Sequence, residues 1–420
     1  MAEVDPVATI ERRVPRWRSR RALVPISALV LVGAGLGAWR AADHGGELSG
    51  PASGGWNTAT LPHIATARAT YLYATDELSN GTGWAVGSWS AGGINQTAAE
   101  HWDGHQWTVV PTPNPKGEDD ELFGVSALSA TDAWAVGFDA GVASSSQGGA
   151  AVNSDTSLIE HWDGTHWRAL EPPALPTLHA YEVALHAVAA VSPTNAWAAG
   201  FADYKGLIEH WDGGRWSVSP FPAPKTSSAE DSSAIFGLAA VSATDVWAVG
   251  SSSFAHKESC LLEHWDGEAW SAVTCPEPAG TGDAKLDSIT EISPNDLWAV
   301  GFYTTGNTGS NKNSYALTEH FDGTAWKVVP TPHLAPGPRP LGGYSDELTA
   351  VAGRASEDVY AAGSSNRLIH WDGKRWTVQS AQSPGQVEGM ASIPGGGVWA
   401  VGERLVGSTT QPFVVTRSAS

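Results

Sequence analysis

Glu160-His161-Trp162-Asp163-Gly164-Thr165-His166-Trp167 is one copy of a pattern, Glu-His-Trp-Asp-Gly-x-x-Trp, that also fills 100–107, 209–216 and 263–270. It returns as Glu319 to Trp326 with Phe321 replacing Trp, and as Ile369 to Trp376 with Ile replacing Glu. A second pattern, Trp-Ala-Val-Gly, starts at Trp84, Trp134, Trp247, Trp298 and Trp399, with Trp197-Ala-Ala-Gly and Tyr360-Ala-Ala-Gly as variants. The two alternate without exception, with a mean period of about 52 residues.

Each period reads as four short strands. In the second, Leu122 to Leu128 is strand a, Ala133 to Phe138 strand b, Leu158 to Trp162 strand c and Trp167 to Leu170 strand d. Trp, Val and Ile enrich b and c, and Gly, Asp, Asn, Ser and Pro punctuate the gaps. Four antiparallel strands repeated at this spacing predict an all-β fold, the β-propeller. Small residues at fixed points of strand a (Gly124, Ala187, Gly237, Ser288, Ala350, Gly389) suit an innermost strand, where the blades converge. There are seven b motifs but six complete c–d hairpins. Phe413 to Arg417 supplies the missing strand c, and Gly55 to Pro62, which reads like Trp107-Thr108-Val109-Val110-Pro111, the missing strand d. The expectation is a seven-bladed propeller over 55–420 whose N-terminal strand closes the last blade and so removes an exposed sheet edge.

The Asp-Gly-x-x-Trp turn resembles that of the Asp-box propellers, a group that includes sialidases, and more loosely the kelch and WD-repeat proteins. The Asp-box pattern is Ser/Thr-x-Asp-x-Gly-x-Thr-Trp. Asp163-Gly164-Thr165-His166-Trp167 lacks the leading Ser/Thr and the residue between Asp and Gly. The resemblance covers nearly all of 55–417 and implies architecture, not activity.

The chain of 420 residues carries a net charge of −20. Its acidic balance excludes a nucleic-acid partner, which needs a basic face, and 2 cysteines exclude a cysteine-rich zinc site. Arg12, Arg13, Arg16, Arg18, Arg20 and Arg21 precede an uncharged apolar run from Ala22 to Trp39. This predicts an Arg-rich cytoplasmic segment (1–21), a hydrophobic helix (22–39) acting as transmembrane anchor or signal, and a linker (40–54). Leu36-Gly37-Ala38 offers a cleavage site, so a single-pass cell-membrane protein with its C-terminal domain outside and a secreted protein both stay open. Removing the first 41 residues, a net +4, leaves an exterior domain of net charge −24. It is expected to act as a monomer.

Of 21 Trp, eighteen occupy repeated positions, Trp56 among them, and Trp17 and Trp39 lie near the N-terminus. Trp89, assigned to the first b–c loop, is the remaining candidate for an aromatic sugar platform. His101, His161, His210, His264, His320 and His370 recur in strand c. Equivalent positions in packed sheets lie about 10 Å apart, too far to share an ion, so they read as strand-tying hydrogen-bond partners and no metal site is expected. Cys260 and Cys275 flank the fourth c–d turn symmetrically, which predicts a disulfide.

The a–b and c–d turns are short and repetitive, whereas the b–c and d–a connections read as long and dissimilar and emerge together on the opposite face. Residues 13 and 11 before the b-strand aromatic are Tyr71/Tyr73, Glu121/Phe123, Ala184/His186, Ala234/Phe236, Lys285/Asp287, Glu347/Thr349 and Gln386/Glu388. Some of these should rim the central channel. Glu121, His186, Asp287, Glu347 and Glu388, with Tyr73 and Trp89, are the candidate ligand-binding residues. They suit a cation, a cationic ligand or a polyol, and calcium at the channel mouth is the one cofactor they admit. The expected function is non-catalytic binding of a cell-surface protein or glycan through this face. The alternative is a glycan-active hydrolase or lyase on the same face, with Arg68, Arg339 and Arg404 as an anion site of the kind a sialidase needs. The sialidase Arg-Ile-Pro signature is absent, and the sequence shows no Ser-centred nucleophile motif.

Overall fold

A computed structural model describes residues 55–64, 66–115, 119–140, 155–175, 182–222, 231–305, 313–334, 346–364, 366–392 and 396–418. The expected N-terminal helix, the segment boundaries before residue 55 and Arg339 lie outside them. Among the described residues no helix is long and apolar enough to cross a membrane.

These residues form seven four-stranded antiparallel sheets. In the second blade, strand a is Asp120–Ser129, b is Asp132–Asp139, c is Thr156–Trp162 and d is Trp167–Ala169. The last blade takes Gln386–Ser392, Val398–Val406 and Thr409–Arg417 from the C-terminal end, and Trp56–Thr58 completes it as strand d. Trp56 pairs with Arg417 and Thr58 with Val415. Strand a of blade 1, Ala69–Glu77, packs against strand a of blade 7, so the ring is closed.

The repeated aromatics form the packing between blades. Trp134 is fully buried and stacks on His161 of its own blade at 4.4 Å. Its other side meets Trp211 and Trp216 of blade 3, each at 5.2 Å between ring centroids. The arrangement recurs around the ring and crosses the closure, where Trp399 packs edge-on against Trp102 and Trp107. Tyr360 takes the Trp position of blade 6, and Trp56 is its partner from blade 7 at 5.7 Å. Such pairs contribute about 0.5–1.5 kcal/mol each beyond their burial.

Four of the six strand-c histidines tie their strand to an aspartate of the a–b turn, and His210 bonds to Asn195 at 3.3 Å. His161, His264, His320 and His370 bond through Nε2 to Asp132, Asp245, Asp296 and Asp358 of their own a–b turns at 2.8–2.9 Å. The box aspartates hold the c–d turns: Asp163 Oδ1 accepts the backbone N–H groups of Thr165 and His166, both at 2.9 Å. Cys260 and Cys275 form a disulfide, with Cα atoms 6.0 Å apart. They continue the register in which Leu262 faces Val273 and Trp265 faces Trp270.

The glycine of Trp-Ala-Val-Gly has a steric role. A Cβ on Gly87, Gly137, Gly200, Gly250, Gly301, Gly363 or Gly402 would lie 1.8–2.1 Å from a strand-a carbonyl oxygen of the same blade. At that level strand a bulges. Leu122 pairs with Gly137 and Gly124 with Val136, so Phe123 is an extra, unpaired residue. The same shift occurs in all seven blades.

The glutamate of each Glu-His-Trp motif is also buried. Glu100, Glu160, Glu209, Glu263 and Glu319 are at most 1% exposed. Glu209 accepts a hydrogen bond from Ser157 of the preceding blade at 3.0 Å, whereas both carboxyl oxygens of Glu100 and Glu160 have no hydrogen-bond partner among the described residues. Burial pushes Glu100 and Glu209 up to about 8 and Glu263 up to about 7.

Both the glycine contact and the buried glutamates can be tested by unfolding. Gly250→Ala drives a methyl group into the Ala234 carbonyl and should destabilise the domain by about 2–3 kcal/mol, read as a lower urea midpoint with unchanged slope. The raised glutamates give the folded state more bound protons than the unfolded state between about pH 4.5 and 8. Their stabilisation is complete below the unfolded value and is lost as pH rises through 7 to 8. The urea midpoint should therefore fall between pH 5 and 8.5, and Glu209→Gln should flatten that fall.

Candidate functional site

The seven bulge residues are Tyr73, Phe123, His186, Phe236, Asp287, Thr349 and Glu388, and all seven line the central channel, which encloses about 150 Å³. In six blades the residue two positions earlier pairs with strand b, one step nearer the b–c hairpins, whereas the cavity runs from the bulge toward the a–b turns. The glycine thus fixes where a side chain enters the channel and leaves its identity free.

Chemistry divides the ring into two arcs. Tyr73 and Phe123 lie 5.4 Å apart between ring centroids, Phe123 and His186 5.4 Å, and His186 and Phe236 5.2 Å. Blades 1 to 4 therefore present a continuous aromatic wall. Blades 5 to 7 present Asp287, Thr349 and Glu388. Lys285 joins the two arcs, with Nζ 4.1 Å from the Phe236 ring centroid and 2.7 Å from Asp287 Oδ1.

Protonation reflects the surroundings. Burial pulls the Lys285 ammonium down, but Asp287, then Glu258 and Glu347, outweigh it and hold the group above its ordinary value. Burial, aided by the Lys285 charge, lowers His186 to about 3, so its imidazole is neutral at physiological pH. Burial and the neighbouring Glu403 raise Glu388 to about 8, and burial lifts Glu403 itself to about 7. Gln386 donates to Glu388 Oε1 at 2.6 Å. Glu121 is raised by burial, although Tyr73, Asn95 and Ser88 all bond to it. Burial and the Glu121 charge raise the Tyr73 hydroxyl well above its ordinary value, so it stays protonated.

Of the seven candidate binding residues, four line the channel, and two more, close by in sequence, are fixed by hydrogen bonds. Tyr73, His186, Asp287 and Glu388 line the channel, Glu121 bonds to the channel-lining Tyr73, and Glu347 accepts from Ser314 Oγ at 3.2 Å. Trp89 is a correction. It lies within strand b of blade 1, Gly83–Ala91, paired with Thr70 and Gln96, because the strand runs on to a tight turn at Gly92-Gly93. The expectation of long b–c connections is corrected likewise. In blades 1, 3, 4 and 7 these are two-residue hairpins, at 92–93, 203–204, 255–256 and 407–408. Of the arginines, Arg68 is exposed before strand a of blade 1, Arg404 is in strand b of blade 7, and neither lines the channel.

Sequence reasoning misses Glu403 and Glu258. Glu403 directly succeeds the motif glycine Gly402 and pairs with Gln386. Equivalent residues include Ser88, which bonds to Glu121, and Phe138, which stacks on Phe123 at 5.7 Å. The position after the motif glycine is thus a second variable ring beside the bulge, a signal present in the alignment of the repeats. Away from the mouth, Glu319 Oε1 lies 3.2 Å from Cys275 Sγ and 3.9 Å from Cys260 Sγ. With both sulfurs in the disulfide, this set has no thiolate to offer a metal.

The fold and channel define a seven-bladed β-propeller whose inner ring has four aromatic or imidazole side chains and three polar ones, two of them acidic. No protein-family model matches the chain, and no curated protein matches it by sequence. Similar solved structures include YCF48 bound to D1 peptide, at TM-score 0.52 and 15% identity over 88% of this chain and 97% of that one. The WD40 repeats of RRP9 match at TM-score 0.55 and 12% identity, over 88% and 98% of the two chains. A polysaccharide lyase, PL25 ulvan lyase bound to a GlcA(1-4)Rha3S saccharide, matches at TM-score 0.51 and 10% identity, over 84% and 96%. At these identities the likeness is one of fold.

The Lys285–Asp287 pair gives a direct test of the acidic arc. Lys285→Met leaves Asp287 buried without its cation and should cost about 3–5 kcal/mol by urea unfolding. The His186 ring resonances should show no protonation between pH 8 and pH 5 in an NMR titration.

Proposed function

We propose that this chain is an exported or membrane-anchored, non-catalytic propeller that binds a protein ligand on the face where the b–c hairpins and d–a connections emerge. The observation that carries this reading is the placement of exposed apolar side chains. Among the described residues, eight large apolar side chains are exposed. Five of them, Ile94, Tyr204, Phe254, Leu405 and Val406, sit at or beside b–c hairpin tips, in blades 1, 3, 4 and 7, and the other three, Val109, Val218 and Val378, lie in strands d. Leu405 is 67% exposed, Tyr204 56% and Phe254 51%. Large apolar groups gathered on one face of a soluble domain mark an interaction surface.

Backbone strain supports the same reading. Asp203 and Tyr204 hold φ of 47° and 65°, and Ala255 and His256 hold 49° and 65°. Such two-residue hairpin turns favour Asn-Gly, and non-glycine residues at positive φ each carry strain of order 1 kcal/mol. The turns put Tyr204 and, beside Ala255, Phe254 at the crests of their hairpins. The YCF48 structure, with its bound peptide, is a precedent for a protein ligand on this fold. Export rests on the Arg-rich segment and apolar run at the N-terminus.

The glycan-active hydrolase or lyase reading draws on the ulvan lyase likeness and on neutral His186 in the channel, a group able to take a proton. Opposing it, the net −24 of the chain after residue 41 repels an anionic sugar.

Combined Tyr204→Ser, Phe254→Ser and Leu405→Ser should leave the melting temperature within about 2 °C of the parent, because these side chains pack against little. The same variant should lose capture of surface-biotinylated cell proteins by the immobilised full chain. Capture unchanged by the triple substitution overturns the reading. So does release of unsaturated products from polyuronates, monitored by ultraviolet absorbance.

A further inference from the structure

The Cys260–Cys275 disulfide occupies a place in the repeat that other blades fill without cysteine. Cys260 stands three residues before the strand-c glutamate of its blade, Glu263, where blade 1 has Thr97, blade 2 Ser157, blade 3 Gly206 and blade 5 Ala316. The c–d hairpins of those blades pair as blade 4 does, Trp162 with Trp167 and Trp211 with Trp216 for example, and have no bridge. In blade 4 the backbone pairing of c and d ends at Leu262 and Val273, before the cysteines are reached. The hairpin is therefore complete without the bridge.

This place faces the strand-c glutamate of the next blade. Ser157 uses it to donate from Oγ to Glu209 Oε1 of blade 3 at 3.0 Å. Cys260 holds the same position against Glu319 of blade 5, whose Oε1 lies 3.9 Å from Cys260 Sγ and 3.2 Å from Cys275 Sγ. One carboxyl oxygen is thus within reach of both sulfurs. Glu319 is fully buried, and its Oε2 has no hydrogen-bond partner among the described residues. Burial, then the Glu277 charge, raises Glu319 well above the ordinary carboxyl range and favours the protonated acid. Glu277 is itself paired with Lys257 at 3.1 Å. Ser251, Ala299 and Val328, opposite Cys260 and Glu319 on the adjacent strands, carry no charge.

The two sulfurs are not equivalent. Cys275 is partly exposed, so an incoming thiolate reaches it first, whereas Cys260 is 8% exposed. Breaking the bond from the Cys275 side leaves the charge on the buried sulfur, where a thiolate is disfavoured, so that sulfur needs a proton as it departs. Glu319 is the acid placed to supply one.

We propose that Cys260–Cys275 is a reducible site that exchanges with an external dithiol, the Glu319 carboxyl giving its proton to the departing sulfur. A thiolate of the dithiol attacks Cys275 Sγ and forms a mixed disulfide. The Cys260–Cys275 bond breaks, its electron pair goes to Cys260 Sγ, and Glu319 protonates that sulfur. The second thiol of the dithiol, its proton lost to solvent, then attacks its own partner sulfur and breaks the mixed disulfide. That electron pair goes to Cys275 Sγ, and Cys275 and Glu319 each take a proton from solvent. The dithiol is oxidised to a disulfide, and the protein disulfide is reduced to two thiols. The site stands whether or not the hairpin face binds a protein.

The test is reduction of the native full chain by dithiothreitol, with free thiols alkylated at set times and counted by mass. Both thiols should appear without denaturant while the Trp emission stays that of the folded chain. Expressed per thiolate, the rate constant should fall as pH rises from about 6 to about 9, because Glu319 loses its proton. Glu319→Gln should be at least tenfold slower at about pH 6, with a rate per thiolate that does not change with pH. Glu209→Gln makes the same change opposite Ser157 and should leave the rate as in the parent. Trp emission confirms that each variant is folded, and the pH profile of the parent decides alone if Glu319→Gln is not. A disulfide that yields only in denaturing urea overturns the inference. So does a parent rate per thiolate that is flat with pH, or a folded Glu319→Gln variant that matches the parent.

Discussion

In every blade the strand-a carbonyl lies about 2 Å from where a side chain on the motif glycine would begin. The inner half of each blade is built around this close approach. It is open only to a residue without Cβ, it lets strand a carry one residue more than its partner, and it turns that residue into the channel. The Trp three residues before the glycine, with the histidine and aspartate beneath it, fixes the blade from outside. The glycine fixes it from inside. Between them, blade geometry is determined without reference to the bulge residue, whose chemistry is free to vary from phenylalanine to aspartate around one ring.

The same division separates what is legible in the sequence from what is not. Architecture is legible because it is written seven times: the Trp, His, Asp and Gly positions repeat with their reasons, and the half-blades at the two ends match the closure seen between Trp56–Thr58 and Thr409–Arg417. The channel residues are legible as positions, by counting back from the b-strand aromatic. Their partnership is not. That Lys285 covers Phe236 and Asp287, or that Glu403 stands beside Glu388, depends on which side chains cross between strands and blades, and a linear count carries no such information. Trp89 escapes the sequence reading for a related reason. The length of a hairpin is set by turn conformation, and Gly92-Gly93 makes a two-residue turn where composition alone suggests an open loop.

Burial of the strand-c glutamates shows a different use of the repeat. Each stands between neighbouring blades, where an aliphatic side chain of similar size, such as Ile369 in blade 6, fills the equivalent place. A protonated carboxyl packs there almost as a hydrocarbon would. An ionised one would not, so the ring is held together most firmly in mildly acidic surroundings.

Blade 7 is built from both ends of the chain, and this sets the order in which the protein can be finished. Six blades can form from neighbouring segments as they become available, but the seventh waits for the last residues to return to the first strand. Glu388 and Glu403 belong to that blade and Tyr73 to the one it joins. The acidic and aromatic arcs of the inner ring meet at that seam and, through Lys285, at the one between blades 4 and 5. A chain cut short at its C-terminus would keep most of its blades but lose both the closure of the ring and one of the two junctions between its arcs.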